Sequence, residues 1–158
     1  MNTLRTLLAG ITLVVLAGCS NSPVADAPVE LEITQAWSGD YPVSELSLLP
    51  EGQQASAAGY LGSAPAFASV WAALRPGQAV PAVNFRKQLV VFHRNVNFYN
   101  RTRIFKVLVR DDVAEVLAAE TMSAIPVTDR VSMALAVIPR AGVKAIQAGA
   151  MRIPVRPE

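Results

Sequence analysis

The sequence predicts an α+β domain, with one helix at about residues 64–75 packed on a mainly antiparallel sheet of about 5–6 strands. Three observations point to it. Ser63–Arg75 is the clearest repeat of apolar residues with a helical period, whereas several later segments alternate or run apolar over strand lengths between turn residues. The 158 residues, 52% of them hydrophobic, suffice for one core and leave no room for a second. The 16% of charged residues is too few, against that apolar content, for a disordered chain.

Glu30 to Trp37 alternates, with Leu31, Ile33, Gln35 and Trp37 on one face and Glu32 and Thr34 on the other, which predicts a half-buried strand. Turn residues at Gly39-Asp40, Pro42, Pro50 and Gly52 interrupt the stretch from Ser38 to Gly62, with one further strand expected near Val43 to Leu49. In Ser63–Arg75, Phe67, Val70, Trp71 and Leu74 recur at i, i+3, i+4 and i+7. Pro65 suits the first turn, Ser63 can cap it and Pro76-Gly77 stops it. Trp71 lies on that stripe and reads as core.

Beyond Pro81 the chain turns β-rich. Leu89 to Phe92 is continuously apolar, as expected of a strand covered on both faces. Arg103 to Arg110 alternates, placing Phe105, Val107 and Val109 opposite Ile104, Lys106, Leu108 and Arg110. Asp111-Asp112 marks a tight turn, and Val131–Ile138 with Val143–Gln147 reads as a closing pair around Pro139 to Gly142. Val113 to Ser123 is a conflict. Val113, Val116 and Leu117 have helical spacing behind an Asp112/Glu115 imitation of a capping box, yet the position suits the second arm of a hairpin.

The first 19 residues read as a targeting segment. Arg5 is the only charge before Asp26, and Leu7 to Leu16 is apolar except at Gly10 and Thr12. That run is too short for a helix across a bilayer, which needs about 20 apolar residues, and it suits the core of an export signal. Leu16-Ala17-Gly18-Cys19 resembles a bacterial lipobox. The resemblance implies a signal peptide over residues 1–18, removed by cleavage, and acyl chains such as palmitate on Cys19, which together form a stable membrane anchor. Ser20 and Asn21 come next, with no Asp beside the Cys. By resemblance to the Gram-negative sorting pattern, this favours the outer membrane, facing the periplasm, over the inner membrane. Residues 19–29 then form the lipidated Cys and a flexible tether, and residues 30–158 a single domain.

Near-neutrality hides an asymmetry. Cys19 to Leu74 carries six acids and no base, whereas Arg75 to Glu158 carries 13 bases and six acids. Arg86, Lys87, Arg94 and Arg101 belong to a run from Arg86 to Arg110 that contains no acid, with Phe98 and Tyr99 among them. These six are the candidate partner-binding residues, suited to an anionic partner such as headgroups, a wall polymer or an acidic protein face. Arg103, by alternation, falls opposite Lys106 and Arg110, so the run does not form one patch. The competing expectation docks the basic sheet against the chain's own acidic first half.

Catalytic chemistry finds little support. One Cys and one His exclude an internal disulfide and a multi-histidine metal centre. His93 falls at the end of an apolar strand, on the Leu89/Val91 face; it could serve a hydroxyl nucleophile at Ser123 or Ser132, but neither lies in a Gly-x-Ser-x-Gly elbow. Asp111 and Asp112 are adjacent and would point to opposite faces. No catalytic residue, metal or cofactor is expected, nor a nucleic-acid partner.

From Ala66 to about Ile146 the pattern resembles the PrcB-type domain, found in a lipoprotein that stabilises a spirochaete surface protease complex. Phe67-Ala68-Ser69-Val70-Trp71 stands for its helix, Val83-Asn84-Phe85 for the lead-in, Leu89-Val90-Val91-Phe92 for its apolar strand and Val131 to Ile146 for the final hairpin. Where the family has a Gly-Gly-Tyr turn, this chain has Asn97-Phe98-Tyr99-Asn100-Arg101-Thr102, keeping only the aromatic. The resemblance tips Val113–Ser123 towards strand. It implies a non-catalytic envelope lipoprotein that binds or stabilises another envelope protein; the alternative is a periplasmic module for a small ligand or envelope polymer, with Trp37, Tyr60 or Phe98-Tyr99 lining a cleft.

Overall fold

The structure, a computed structural model, describes residues 27–95, 101–121 and 128–156. In chain order the strands are β1 (Val29–Glu30), β2 (Gln35–Pro42), β3 (Ala58–Leu61), β4 (Gln88–Arg94), β5 (Arg101–Arg110), β6 (Val113–Thr121), β7 (Arg130–Pro139), β8 (Ala145–Ala148) and β9 (Met151–Pro154). Helix α1 spans Ala64–Leu74, and a 3-10 segment spans Val43–Leu48. The α+β class therefore holds, but the described strands form two sheets and number nine, against the expected single sheet of 5–6.

A central sheet has the order β2-β7-β4-β3, and an outer sheet the order β1-β5-β6-β8-β9. The pairings are antiparallel except β6 with β8, which run parallel. The central sheet is buried on both faces. Val90, Phe92, Leu135 and Val137 meet α1 through Phe67, Val70, Trp71 and Leu74. Leu89, Val91, Ala134, Ala136 and Ile138 point the other way, onto Ile104, Val107, Val116 and Ile146 of the outer sheet. Successive residues of β4 and β7 thus serve opposite cores, which is why both strands read as unbroken apolar runs.

Four expectations are corrected. Glu30 to Trp37 is not one strand: residues 31–34 cross from the outer sheet to the central one, so Leu31 and Ile33 pack in the inter-sheet core while Trp37 packs on the helix side. Val43–Leu48 coils as a 3-10 segment, not a strand. Val131–Ile138 and Val143–Gln147 do not pair. β7 is central in one sheet, whereas β8 joins β6 and β9 in the other, the chain changing layers at Arg140–Lys144. Finally, β5 does not alternate throughout, because a bulge lies between Ile104 and Lys106. Val113–Thr121 is a strand, the second arm of a hairpin whose two-residue turn holds Asp111 and Asp112 at φ 51° and 62°. Both dihedrals suit a type I′ turn, a conformation Asp tolerates better than most residues.

Candidate functional site

The bulge rearranges the basic run. One extra residue, Phe105, sits opposite the β6 ladder, so the inward set becomes Thr102, Ile104 and Val107, paired with Glu120, Ala118 and Val116. Arg103 and Lys106, opposite Ala119 and Leu117, now share the outward face, with Arg101 and Arg110. The expectation that Arg103 lies opposite Lys106 and Arg110 is overturned by this one residue. Phe105 itself is 53% exposed on the same face. Across β6, β8 and β9 the face continues through Leu117, Glu115, Gln147 and Arg152, whose register places them side by side. A shallow depression of about 260 Å³ lies here, lined by Leu108, Arg110, Val113, Glu115 and Arg152 among others.

Among the described residues expected to bind a partner, Arg101 alone falls on this face. Arg86 and Lys87 are exposed in the turn before β4. Lys87, the nearer of the two, is seven steps of about 3.3 Å, roughly 23 Å, from Arg94 at the other end of β4. Phe98, Tyr99 and Cys19 lie outside the described residues. Arg94 is buried, at 4% exposure, because it shares the helix-side parity of Val90 and Phe92. Its Nε donates to Ser56 O at 2.8 Å and its Nη2 to Gln54 O, so it clamps the 50–57 loop over the central sheet. Burial lowers its pKa, and the neighbouring Tyr41 opposes that shift. Tyr41 is pushed up to about 12 by burial, then by Glu45, with Arg94 opposing. Arg94 is therefore part of the core's polar lining, a correction to its expected place on a surface patch.

The acidic first half does meet the basic second half, at specific points. Lys106 Nζ lies 3.0 Å from Glu30 Oε2, and Arg130 Nη1 lies 3.6 Å from Asp40 Oδ2. These are exposed pairs worth under about 1 kcal/mol each. Apolar strand pairing of β2 with β7 and β3 with β4 joins the halves.

His93 continues the Leu89/Val91 face to the end of the inter-sheet space. Glu120 Oε1 stands 3.5 Å from its Nδ1, yet among the described residues that buried nitrogen makes no hydrogen bond. Asn95 Nδ2 donates to Glu120 Oε2 at 2.7 Å and so turns the carboxylate towards itself. Burial lowers the His93 pKa, with Glu120 opposing. Ser132 Oγ is buried and accepts from Thr102 N at 2.8 Å, which ties down the hydroxyl offered as a nucleophile. Ser123 lies outside the described residues.

Of the aromatics expected to line a cleft, Tyr60 does border two depressions, of about 290 and 240 Å³, beside Pro50, Gln53 and Arg156, whereas Trp37 is taken up by the helix-side core. Trp37 packs edge-on to Trp71 at 5.1 Å between ring centroids. Tyr60 is buried, its hydroxyl donating to Pro154 O and accepting from Arg156 N. A separate cleft of about 320 Å³ opens beside β2, lined by Ser38, Asp40, Arg75, Arg101, Thr102 and Ser132 with Gly39.

One feature of the opposite surface escaped sequence reasoning, though its signal was present. No charge occurs from Gly52 to Leu74. The exposed side of α1, comprising Ala64, Pro65, Ser69 and Ala72, is consequently small and uncharged, where a surface helix ordinarily carries charges. Among the described residues there is no group of three or more metal-binding side chains, and no helix is long and apolar enough to cross a membrane. No protein-family model matches this chain, and no match is found among curated proteins or solved structures.

Proposed function

We propose that this chain is a non-catalytic lipoprotein of the bacterial envelope, anchored through Cys19, most favourably in the outer membrane facing the periplasm, that binds or stabilises another envelope protein. The observation that carries the reading is the uncharged outer side of α1. That side of the helix lets another backbone approach closely and carries no charge to desolvate, and depletion of charge is what marks the core of a protein interface. Its inner side is fixed by Phe67, Val70, Trp71 and Leu74, so the surface is rigid before a partner arrives. The resemblance to the PrcB-type domain supports the same role.

The test is extraction of the lipidated protein in mild detergent, with and without Ala72→Glu. A stoichiometric partner that co-purifies with the parent chain and is lost from the Ala72→Glu variant, at unchanged far-UV circular dichroism, supports it. Recovery of free monomer alone across several detergents overturns it. The cleft beside β2 favours the second reading, a small anionic ligand or envelope polymer held by Arg75 and Arg101. Wall fragments that raise the thermal midpoint of the parent chain but not of Arg101→Ala would support that reading instead.

A further inference from the structure

We infer that the outward face of the outer sheet docks on the anionic phospholipid headgroups of the membrane that holds the Cys19 anchor. The inference rests on the lipoprotein reading above and adds an orientation to it: outer sheet towards the bilayer, α1 towards the partner.

The bulge gathers the charge. Arg101, Arg103, Lys106, Arg110 and Arg152 share the face with Glu30 and Glu115, while Asp111 and Asp112 are confined to the turn at one end. Lys144 Nζ holds Asp112 at 2.7 Å, and Lys106 holds Glu30 at 3.0 Å. Positive charge therefore dominates the half of β5 that begins at Arg101. Phe105, in the middle of that half, is 53% exposed. An aromatic ring between arginines matches an interface that is anionic at the headgroups and apolar just beneath. Each basic side chain brought within a Debye length of an anionic leaflet multiplies membrane partitioning about fivefold.

The tether selects a membrane over an acidic protein as the occupant. Cys19 is ten residues before Val29, a span of at most about 35 Å. The chain enters the fold at β1, and β1 is hydrogen-bonded to β5 at the edge of this same sheet, Val29 opposite Val109. The anchor thus delivers the bilayer to the edge of this face, at the Arg110 end of β5 and about 26 Å along the strand from Arg101, within the tether's reach, and holds it there at high effective concentration. α1 lies on the far side of the central sheet from it.

The test uses the full lipidated chain. Cys19 is the only Cys in the sequence, and lipidation blocks its thiol, so Phe105→Cys and Ser69→Cys each offer one site for a fluorophore. The proteins are reconstituted into phosphatidylethanolamine vesicles with or without about one-third phosphatidylglycerol, carrying headgroup nitroxide quencher. The expected result is at least about threefold stronger quenching at position 105 than at position 69 in the anionic vesicles. It should be reversed by about 0.5 M NaCl, which cuts the Debye length to roughly 4 Å, and by Arg101→Glu/Arg103→Glu in the labelled chain. Equal quenching at the two positions, or quenching indifferent to phosphatidylglycerol, overturns the docking. Protection of position 105 only on adding an acidic protein would likewise overturn it and point to a protein occupant. Failure of the chain to float with any vesicle, together with an unmodified Cys19 by mass spectrometry, is a separate result that removes the anchor itself.

Discussion

His93 shows what one buried titratable side chain does to pH dependence. In the native state burial favours the neutral imidazole, while the unfolded chain titrates near the ordinary value of 6.5. Above that pH both states are neutral and His93 contributes no slope. As pH falls through 6.5, the unfolded chain takes up a proton that the native state resists, so stability declines. The urea midpoint should fall between about pH 7.5 and about pH 5.5, and His93→Asn should flatten that part of the decline. Glu120, 3.5 Å away, moderates the loss by attracting the imidazolium, so Glu120→Gln should steepen it. A profile unchanged by either substitution would exclude this account. At this scale the sequence placed His93 correctly, on the Leu89/Val91 face. It misplaced Arg94 for a reason that was legible: the same parity rule puts residue 94 with Val90 and Phe92, beneath whatever covers that face. A basic residue attracts a surface reading by composition, and here the backbone carbonyls of Gln54 and Ser56 make burial tolerable.

At the scale of elements, local chemistry was legible and pairing was not. Helix α1 carries its stripe and stop signals within its own residues, and the β5–β6 hairpin has its turn and both arms contiguous. β3 and β9 are four residues each, and nothing local announces them; β8 overlaps the strand expected at Val143–Gln147, but its parallel partner begins some thirty residues earlier and has no local signal. The bulge is an intermediate case. Thr102 and Ile104 keep one parity while Val107 and Val109 keep the other, a phase break that is visible once the inward set is known. Deleting Phe105 restores one uninterrupted alternation with the same inward residues. The variant should therefore fold with a loss within about 1 kcal/mol, since the lost side chain is mostly exposed. Deleting Leu108 instead sends Val109 outward and Arg110 inward, and should cost about 3 kcal/mol or more. Chemical denaturation of the two deletions checks the pair, and equal losses would contradict the proposed role of the bulge.

Over the whole molecule, the central sheet is a wall common to two cores, and this makes the layers interdependent. The sequence predicted one sheet because β4 and β7 look alike whichever layer lies beyond them; the second sheet is defined by chain crossings, at residues 31–34 and Arg140–Lys144 and in the β4–β5 and β6–β7 connections. Both tryptophans, Trp37 and Trp71, sit in the helix-side core, so their fluorescence reports that layer alone. Val91 faces the other way, into the inter-sheet core. If the layers were separate folding units, Val91→Ala would weaken the sheet signal and leave tryptophan fluorescence untouched. Because Val90 and Phe92 flank Val91 on the same strand, the outer sheet cannot detach without disordering the surface on which α1 rests. Val91→Ala should accordingly lower the denaturant midpoints of tryptophan fluorescence and far-UV circular dichroism together, for a stability loss of about 2 kcal/mol. Phe92→Ala, on the helix side, should lower both further, for a stability loss of about 3–5 kcal/mol. Coincident midpoints in each variant mark a single cooperative unit. A Val91→Ala protein whose fluorescence midpoint stays in place while its dichroism midpoint drops would show that the wall transmits nothing between its two faces.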